Sequence, residues 1–326
     1  HEKTDSPYPK TSKDAGMRKV LRSYNELLDT THIDLMSLDT SVIWVGKGKK
    51  KRPLQINQQD KFVRRVFNNS NWKQGGRFFG GWWQRCPKEY RKQIALDGIA
   101  TAEIDYSGIH IVILYGLEGI DYWKDIGDDP YKLPATNEIS SSIDLRNTAK
   151  RLLLTCINAP SEEAAFQAFR RQCDTGSPEK TLTNVELSAV LEKLKEKHQP
   201  IAHKLNSGAG IDLMYIDSQI TEEIVTHFTG KGVPILTIHD SYVVPFGYDD
   251  LLRNQMEAAF EKVVGIPDAK MEHTTAHYRE REEQLDLKAE EVGYQSPRHL
   301  KELALFKEFK GKPDRESWVP HWTMIY

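Results

Sequence analysis

Cysteine is scarce in this sequence: Cys86, Cys156 and Cys173 are the only three among 326 residues, and no two form a Cys-x-x-Cys pair. That excludes a disulfide framework or a cysteine-rich zinc module and fits a reducing setting, so an intracellular location, cytoplasmic or nucleoid-associated, is expected. Long apolar runs are missing too. Nothing approaches the ~18 consecutive apolar residues of a membrane span, so no membrane partner is expected, and the first residues carry no apolar signal core. Internal repeats are absent. Net charge is also small, at −2, and such a balance argues against a strongly basic nucleic-acid binder unless the positive charge is local. What remains, with 39% hydrophobic and 28% charged residues, is the composition of a globular chain long enough for one large domain or two ordinary ones.

The most informative stretch is Val233–Pro245. It is an apolar, β-branched run broken by His239-Asp240-Ser241 and closed by prolines. Such residues favour strands, so the break predicts a β-hairpin with Asp240 at its tip. One role for that carboxylate is to bond turn amides. A second stretch, 101–115, suggests another. A strand over about 101–106 ends at Asp105 and runs through Ser107-Gly108 into an apolar segment. Aspartates at the ends of separate strands suit a pair of hard divalent cations, which at ~3.5–4 Å separation clamp both oxygens of a phosphoryl displacement.

Positive charge is concentrated at Lys47-Gly-Lys49-Lys50-Lys51-Arg52, either a solvated loop or a phosphate-binding run. Behind it, Gln58–Phe67 reads as a helix carrying Lys61, Arg64 and Arg65, and Met17–Leu28 as an amphipathic helix. Together they suggest a small N-terminal lobe. The segment Gln74–Gln84 alternates glycine pairs with aromatics around Arg77. Glycines allow close backbone approach to a ligand, whereas the tryptophans read best as core anchors of a tight hairpin. Gly127–Tyr131 reads as a turn and helix start, in which Asp128 and Asp129 could be metal ligands, though capping a helix is the commoner role of such residues. Ile143–Asn158 reads as a helix with Arg146, Lys150, Leu154 and Asn158 in one row. Helices are also expected over 161–198 (broken at 176–178), 209–229 and 251–264. The charged stretch 268–326 reads as an extension docked by a few aromatics, with Trp318 and Trp322 near its end.

Four of these elements resemble, in order, the motifs of the polymerase palm shared by Pol I-type (family A) DNA polymerases and phage-type single-subunit RNA polymerases. Asp105-Tyr-Ser-Gly-Ile-His110 is similar to motif A, Arg146-x-x-x-Lys150-Arg-x-x-x-Thr155 to motif B, and His239-Asp-Ser241 to motif C in its RNA-polymerase form. Gly76-Arg77-Phe78 is similar to the upstream element that touches the template–primer. The resemblance covers about 75–265. It departs from the pattern at Asn158-Ala159, where both families have Tyr-Gly, at Leu154, often Phe in the DNA enzymes, and in a short stretch between motifs B and C.

The resemblance implies an α+β fold: a palm of antiparallel sheet with helices (75–267), reduced fingers, a small thumb-like N-terminal lobe (1–74) and a charged extension (268–326). It implies a nucleotidyltransferase acting on a nucleic-acid template and primer with nucleoside triphosphates. Two Mg2+ ions, or Mn2+, would be held by Asp105, Asp240 and the carbonyl of Tyr106. Arg146 and Lys150 would bind the triphosphate, Lys150 also aiding the leaving group. His110, Leu154 and Asn158 would line the nucleotide site, where the first and last would accept a 2′-hydroxyl. Arg77, His239 and the run Lys49, Lys50, Lys51 and Arg52 would hold the nucleic-acid backbone. The same residues also suit a palm-derived binding protein without synthesis, or a metal-dependent nuclease.

Overall fold

Residues 99–106, which alternate Ile99, Thr101 and Glu103 with Ala100, Ala102 and Ile104 before Asp105 and Tyr106, form the strand on which the central sheet is built. The computed structural model describes residues 12–46, 48–134, 140, 143–267, 270–273 and 294–310. In chain order the elements are α1 (Ser12–Asp29), β1 (Ile33–Leu35), β2 (Val42–Val45), β3 (Arg52–Gln55), β4 (Val63–Asn68), β5 (Asn71–Gly80), α2 (Lys88–Arg91), β6 (Ile94–Leu96), β7 (Ile99–Tyr106) and α3 (Ile109–Leu117). There follow α4 (Leu145–Asn158), α5 (Glu162–Gln172), α6 (Asn184–Lys197), α7 (Gly210–Gly230), β8 (Leu236–Ile238), β9 (Ser241–Pro245), α8 (Asp249–Val264), β10 (Met271–His273) and α9 (Pro297–Lys310). The sheet runs β1-β6-β7-β9-β8, with β10 also on β7, and every pairing in it is antiparallel. This mixed α+β arrangement is compatible with the expected palm.

Side chains alternate across β7, as the two-residue strand period requires. Ile104, Tyr106 and, on β9, Tyr242 are buried and turn towards α7 and α8. The Tyr106 hydroxyl donates to the Met256 carbonyl at 2.6 Å, and that of Tyr242 bonds Thr221 Oγ1 at 2.8 Å. On the other face, Ser241 and Arg91 both bond the buried Glu103 carboxylate, so this charge is sequestered rather than uncompensated. The tryptophans act as core anchors: Trp82 and Trp83 are fully buried, and the Trp83 indole donates to the Thr237 carbonyl. Helix starts are signalled locally. Asp144 and Ser161 cap α4 and α5 through side-chain oxygens, and Thr183 with Glu186 forms a capping box on α6. No helix among the described residues is long and apolar enough to cross a membrane.

Several expectations are corrected. Residues 58–67 form no helix; Val63–Asn68 is a strand paired with β5. Val63, Arg65 and Phe67 share the more buried side, and the Asn69-Ser70 turn, with both residues at positive φ, closes a hairpin that a helix could not supply. Lys61 is buried and donates to the carbonyls of Asp29 and Thr31, while Arg65 pairs with Glu222. Neither is a free phosphate ligand. Helix α1 packs on the same core as the sheet. Tyr24 belongs to the common core and donates to the Ile235 carbonyl, and Asn25 exchanges hydrogen bonds with the Val63 backbone. No helix starts within 127–134: Gly127, in the left-handed region, ends a wide turn over Tyr122–Ile126. Asp128 and Asp129 are engaged by Lys197 and Arg146.

The extension also differs from expectation, because α9 docks through a polar network as well as through Phe306. Arg298 donates to both Asp34 oxygens at 3.0 Å, and His299 Nδ1 lies 2.6 Å from Asp34 Oδ2. The Phe306 ring packs at a tilt against His32, with centroids 5.3 Å apart. Burial pushes the His32 imidazole down to about 4, so it is uncharged at neutral pH. Trp318 and Trp322 lie outside the described residues.

Candidate active site at the strand ends

The hairpin expected from Val233–Pro245 is present. β8 and β9 pair with Ile238 opposite Ser241, leaving His239 and Asp240 as a two-residue turn in which His239 takes φ 57°, a conformation such turns demand. Asp105 on β7 pairs with Ser241, and the Tyr106 amide donates to the Asp240 carbonyl at 3.3 Å. The two aspartates therefore sit at neighbouring strand ends of one sheet, both half-buried, with His239 exposed beside them. Gly108, at φ 67°, turns the chain from β7 into α3.

Arg77 reaches this end because β5 lies unusually close to α7. A Cβ at Gly76 would come within 2.8 Å of Ser218 Oγ and of the Phe67 ring, so only glycine permits the approach. Arg77 Nε then donates to Asp217 Oδ2 at 2.7 Å, and Nη2 lies 2.8 Å from His110 Nε2. A guanidinium can only donate, so His110 Nε2 is the acceptor and the ring carries its proton on Nδ1. Desolvation, reinforced by Arg77, holds His110 down at about 4. Desolvation raises buried Asp217 to about 6; Arg77 opposes the rise and the negative charge of Asp240 adds to it. Although His239 is exposed at its edge, partial desolvation by its neighbours, with Arg77 adding to it, also lowers its imidazole. Both imidazoles are thus neutral at pH 7, and the guanidinium is the fixed cation beside the carboxylates.

Helix α4 approaches through Tyr131. Its ring lies beneath both Arg146 and Lys150, with the guanidinium carbon and the ammonium 5.8 and 5.4 Å from the centroid. Its hydroxyl would be 3.4 Å from a Cβ at Gly108. Tyr131 thus links the two cations to the turn after Asp105. Lys150, Arg151 and Leu154 also line a cleft of about 580 Å³ together with Asp144, Asp174 and Glu179, a lining of mixed charge. Asn158 lies two turns on and is exposed. Its Nδ2 donates to the Leu154 carbonyl, and its amide packs where a Cβ on Gly210 would intrude. Lys50, Lys51 and Arg52 are exposed on the β2–β3 hairpin; the Lys49 side chain and Lys47 lie outside the described residues.

The sequence alone assigns no role to Asp217, Tyr131 or Glu103. A signal existed for the first: Asp217 falls in the stripe Leu213, Ile220, Ile224 and Phe228, all buried, where a carboxylate needs a partner. For Tyr131 the local signal was only its Gly-Asp-Asp-Pro-Tyr turn.

The donor set at the strand ends consists of carboxylate and carbonyl oxygens, the chemistry hard divalent cations prefer. No protein-family model matches the chain, and no curated protein matches it. Among solved structures it is similar to the POL domain of Pol1 from M. smegmatis, in complex with DNA primer-template and dNTP. That match has a TM-score of 0.42 and 13% identity over 65% of this chain and 47% of the other. The chain thus spans about half the length of that polymerase chain.

Proposed function

We propose that the chain is a template-dependent nucleotidyltransferase, a compact RNA or DNA polymerase or primase acting at the ends of β7 and the β8–β9 turn. The observation that carries this reading is the register of Asp105 opposite Ser241, which makes Asp105 and Asp240 neighbours. Asp105, Asp240 and the Tyr106 carbonyl would hold two Mg2+ ions (or Mn2+), which when bound activate the primer 3′-hydroxyl and stabilise the leaving pyrophosphate. The chain's own residues do the rest. Arg77, fixed by Asp217 and His110, presents a rigid cation to the nucleic-acid backbone next to the carboxylates, and exposed His239 flanks the primer side. Arg146 and Lys150, both carried on Tyr131, meet the triphosphate from α4, where Lys150 offsets charge on the departing group. His110 Nδ1–H remains a donor towards a sugar hydroxyl.

The test is incubation of the protein with Mg2+, a primed template and labelled ribo- or deoxyribonucleoside triphosphates. Extension is expected. Asp105→Asn and Asp240→Asn should each lower it by at least about 10²-fold while DNA retention in a filter assay is kept. Lys150→Ala should slow turnover more than it weakens retention. Strand shortening instead would identify a nuclease using the same carboxylates, and retention alone a binding protein.

A further inference from the structure

At the opposite edge of the sheet, strand β1 and helix α9 enclose a second cluster of polar side chains. His32 and Asp34 stand two apart, on one face at the start of β1, and both are fully buried. Glu302 faces them from α9. One ligand atom each from His32, Asp34 and Glu302 lies within 4.8 Å of the others. Neither ring nitrogen of His32 has a hydrogen-bond partner among the described residues, nor has Nε2 of the equally buried His299. Leaving such a group buried and unsatisfied costs roughly 1–3 kcal/mol. A buried His32 ring with neither nitrogen satisfied, beside two convergent carboxylates, is therefore a costly arrangement unless something bonds the imidazole there.

We propose that His32, Asp34 and Glu302 bind one divalent transition-metal ion, Zn2+ by the nature of the ligands, and that this ion clamps α9 to the edge of the sheet. A mixed imidazole and carboxylate set suits Zn2+ rather than Mg2+ or Ca2+, which take oxygen. Bond lengths of about 2.0–2.2 Å in a tetrahedron require the ligand atoms to draw together by on the order of 1 Å, within reach of the Glu302 side chain on its helix. The carboxylates are already oriented from behind. His299 Nδ1 and Arg298 hold Asp34, and Arg298 Nη1 holds Glu302 at 2.7 Å, the outer-shell support such ligands commonly have. Charge also permits it. Asp34, Asp97 and Glu302 stand against Arg298 and Lys61, so the pocket has an excess of one negative charge. This site shares no residue with the proposed nucleotidyltransferase centre.

The experiment uses the untagged full chain, stripped with chelator and titrated with Co2+, then Zn2+. One equivalent of Co2+ should give the visible absorption of a four- or five-coordinate ion, and Zn2+ should displace it and raise Tm. The band should persist in the Asp105→Asn, Asp240→Asn double variant. In Glu302→Ala it should be lost or weakened by more than the roughly 10–100-fold that removing an outer-shell partner costs. Glu302 is only half-buried, so that variant is a fair test even if His32→Gln fails to fold. Absence of the band, its survival in Glu302→Ala, or its loss in the double variant would each overturn the proposal. The last outcome would move the ion to the strand-end carboxylates. None of these results bears on whether the chain extends a primer.

Discussion

Asp217 shows how burial sets chemistry one residue at a time. Its carboxyl is raised to about 6 by desolvation that Arg77 only partly offsets, against about 3.9 in an unfolded chain. Below about pH 4 both states hold the proton. Between there and about 6 only the folded state holds it, so stability falls as pH rises through that window and is level above it. Asp217→Asn lacks this term. The variant should therefore gain on the parent by on the order of 3 kcal/mol between pH 4 and 7, read as the difference in urea-unfolding midpoints at the two pH values; an unchanged difference would show that Arg77 compensates the charge fully. Asp105 and Asp240 were legible in the sequence because the first closes a strand-like segment and the second breaks a β-branched run. Asp217 was not, since Arg77 lies 140 positions away and only the glycine-allowed contact of β5 with α7 makes them partners.

Among elements, the β4–β5 hairpin carries the clearest lesson. Helical spacing in 58–67 was coincidental, because Val63 and Phe67 are four apart in a strand as well as in a helix. The glycine pairs at 75–76 and 80–81 hold the deciding information, since they permit left-handed bends that fit β5 against its partners. A Cβ on Gly80 would stand 2.1 Å from the Phe62 carbonyl oxygen at φ 131°. Gly80→Ala should therefore destabilise the protein by about 2–4 kcal/mol, measured by denaturant unfolding. A loss under about 0.5 kcal/mol, the range of ordinary surface changes, would mean that the strand can shift. By contrast, α4, α7 and α8 were readable from apolar periodicity, and the β8–β9 hairpin from its prolines and its polar break. The polar docking of α9 was hidden, because the partners of Arg298 and His299 lie at the other end of the described chain.

For the molecule as a whole, net charge says little and its placement says more. Lys50, Lys51 and Arg52 project from the β2–β3 hairpin, exposed. If they meet a nucleic-acid backbone, replacing all three by alanine should flatten the plot of log affinity against log salt by about 2–3 units, with similar weakening across sequences; an unchanged slope would remove this hairpin from the interface. The union of β1 with α9 has a different consequence, one of timing. Asp34 and Arg298 are 264 positions apart. At ~5–20 residues per second of synthesis, Asp34 leaves the ribosome on the order of 13–50 s before Arg298 follows. Throughout that interval the nascent sheet has an open margin at β1, with His32 and Asp34 uncovered, and it is then that a chaperone, or a second copy of the same unfinished chain, has the opportunity to bind there first.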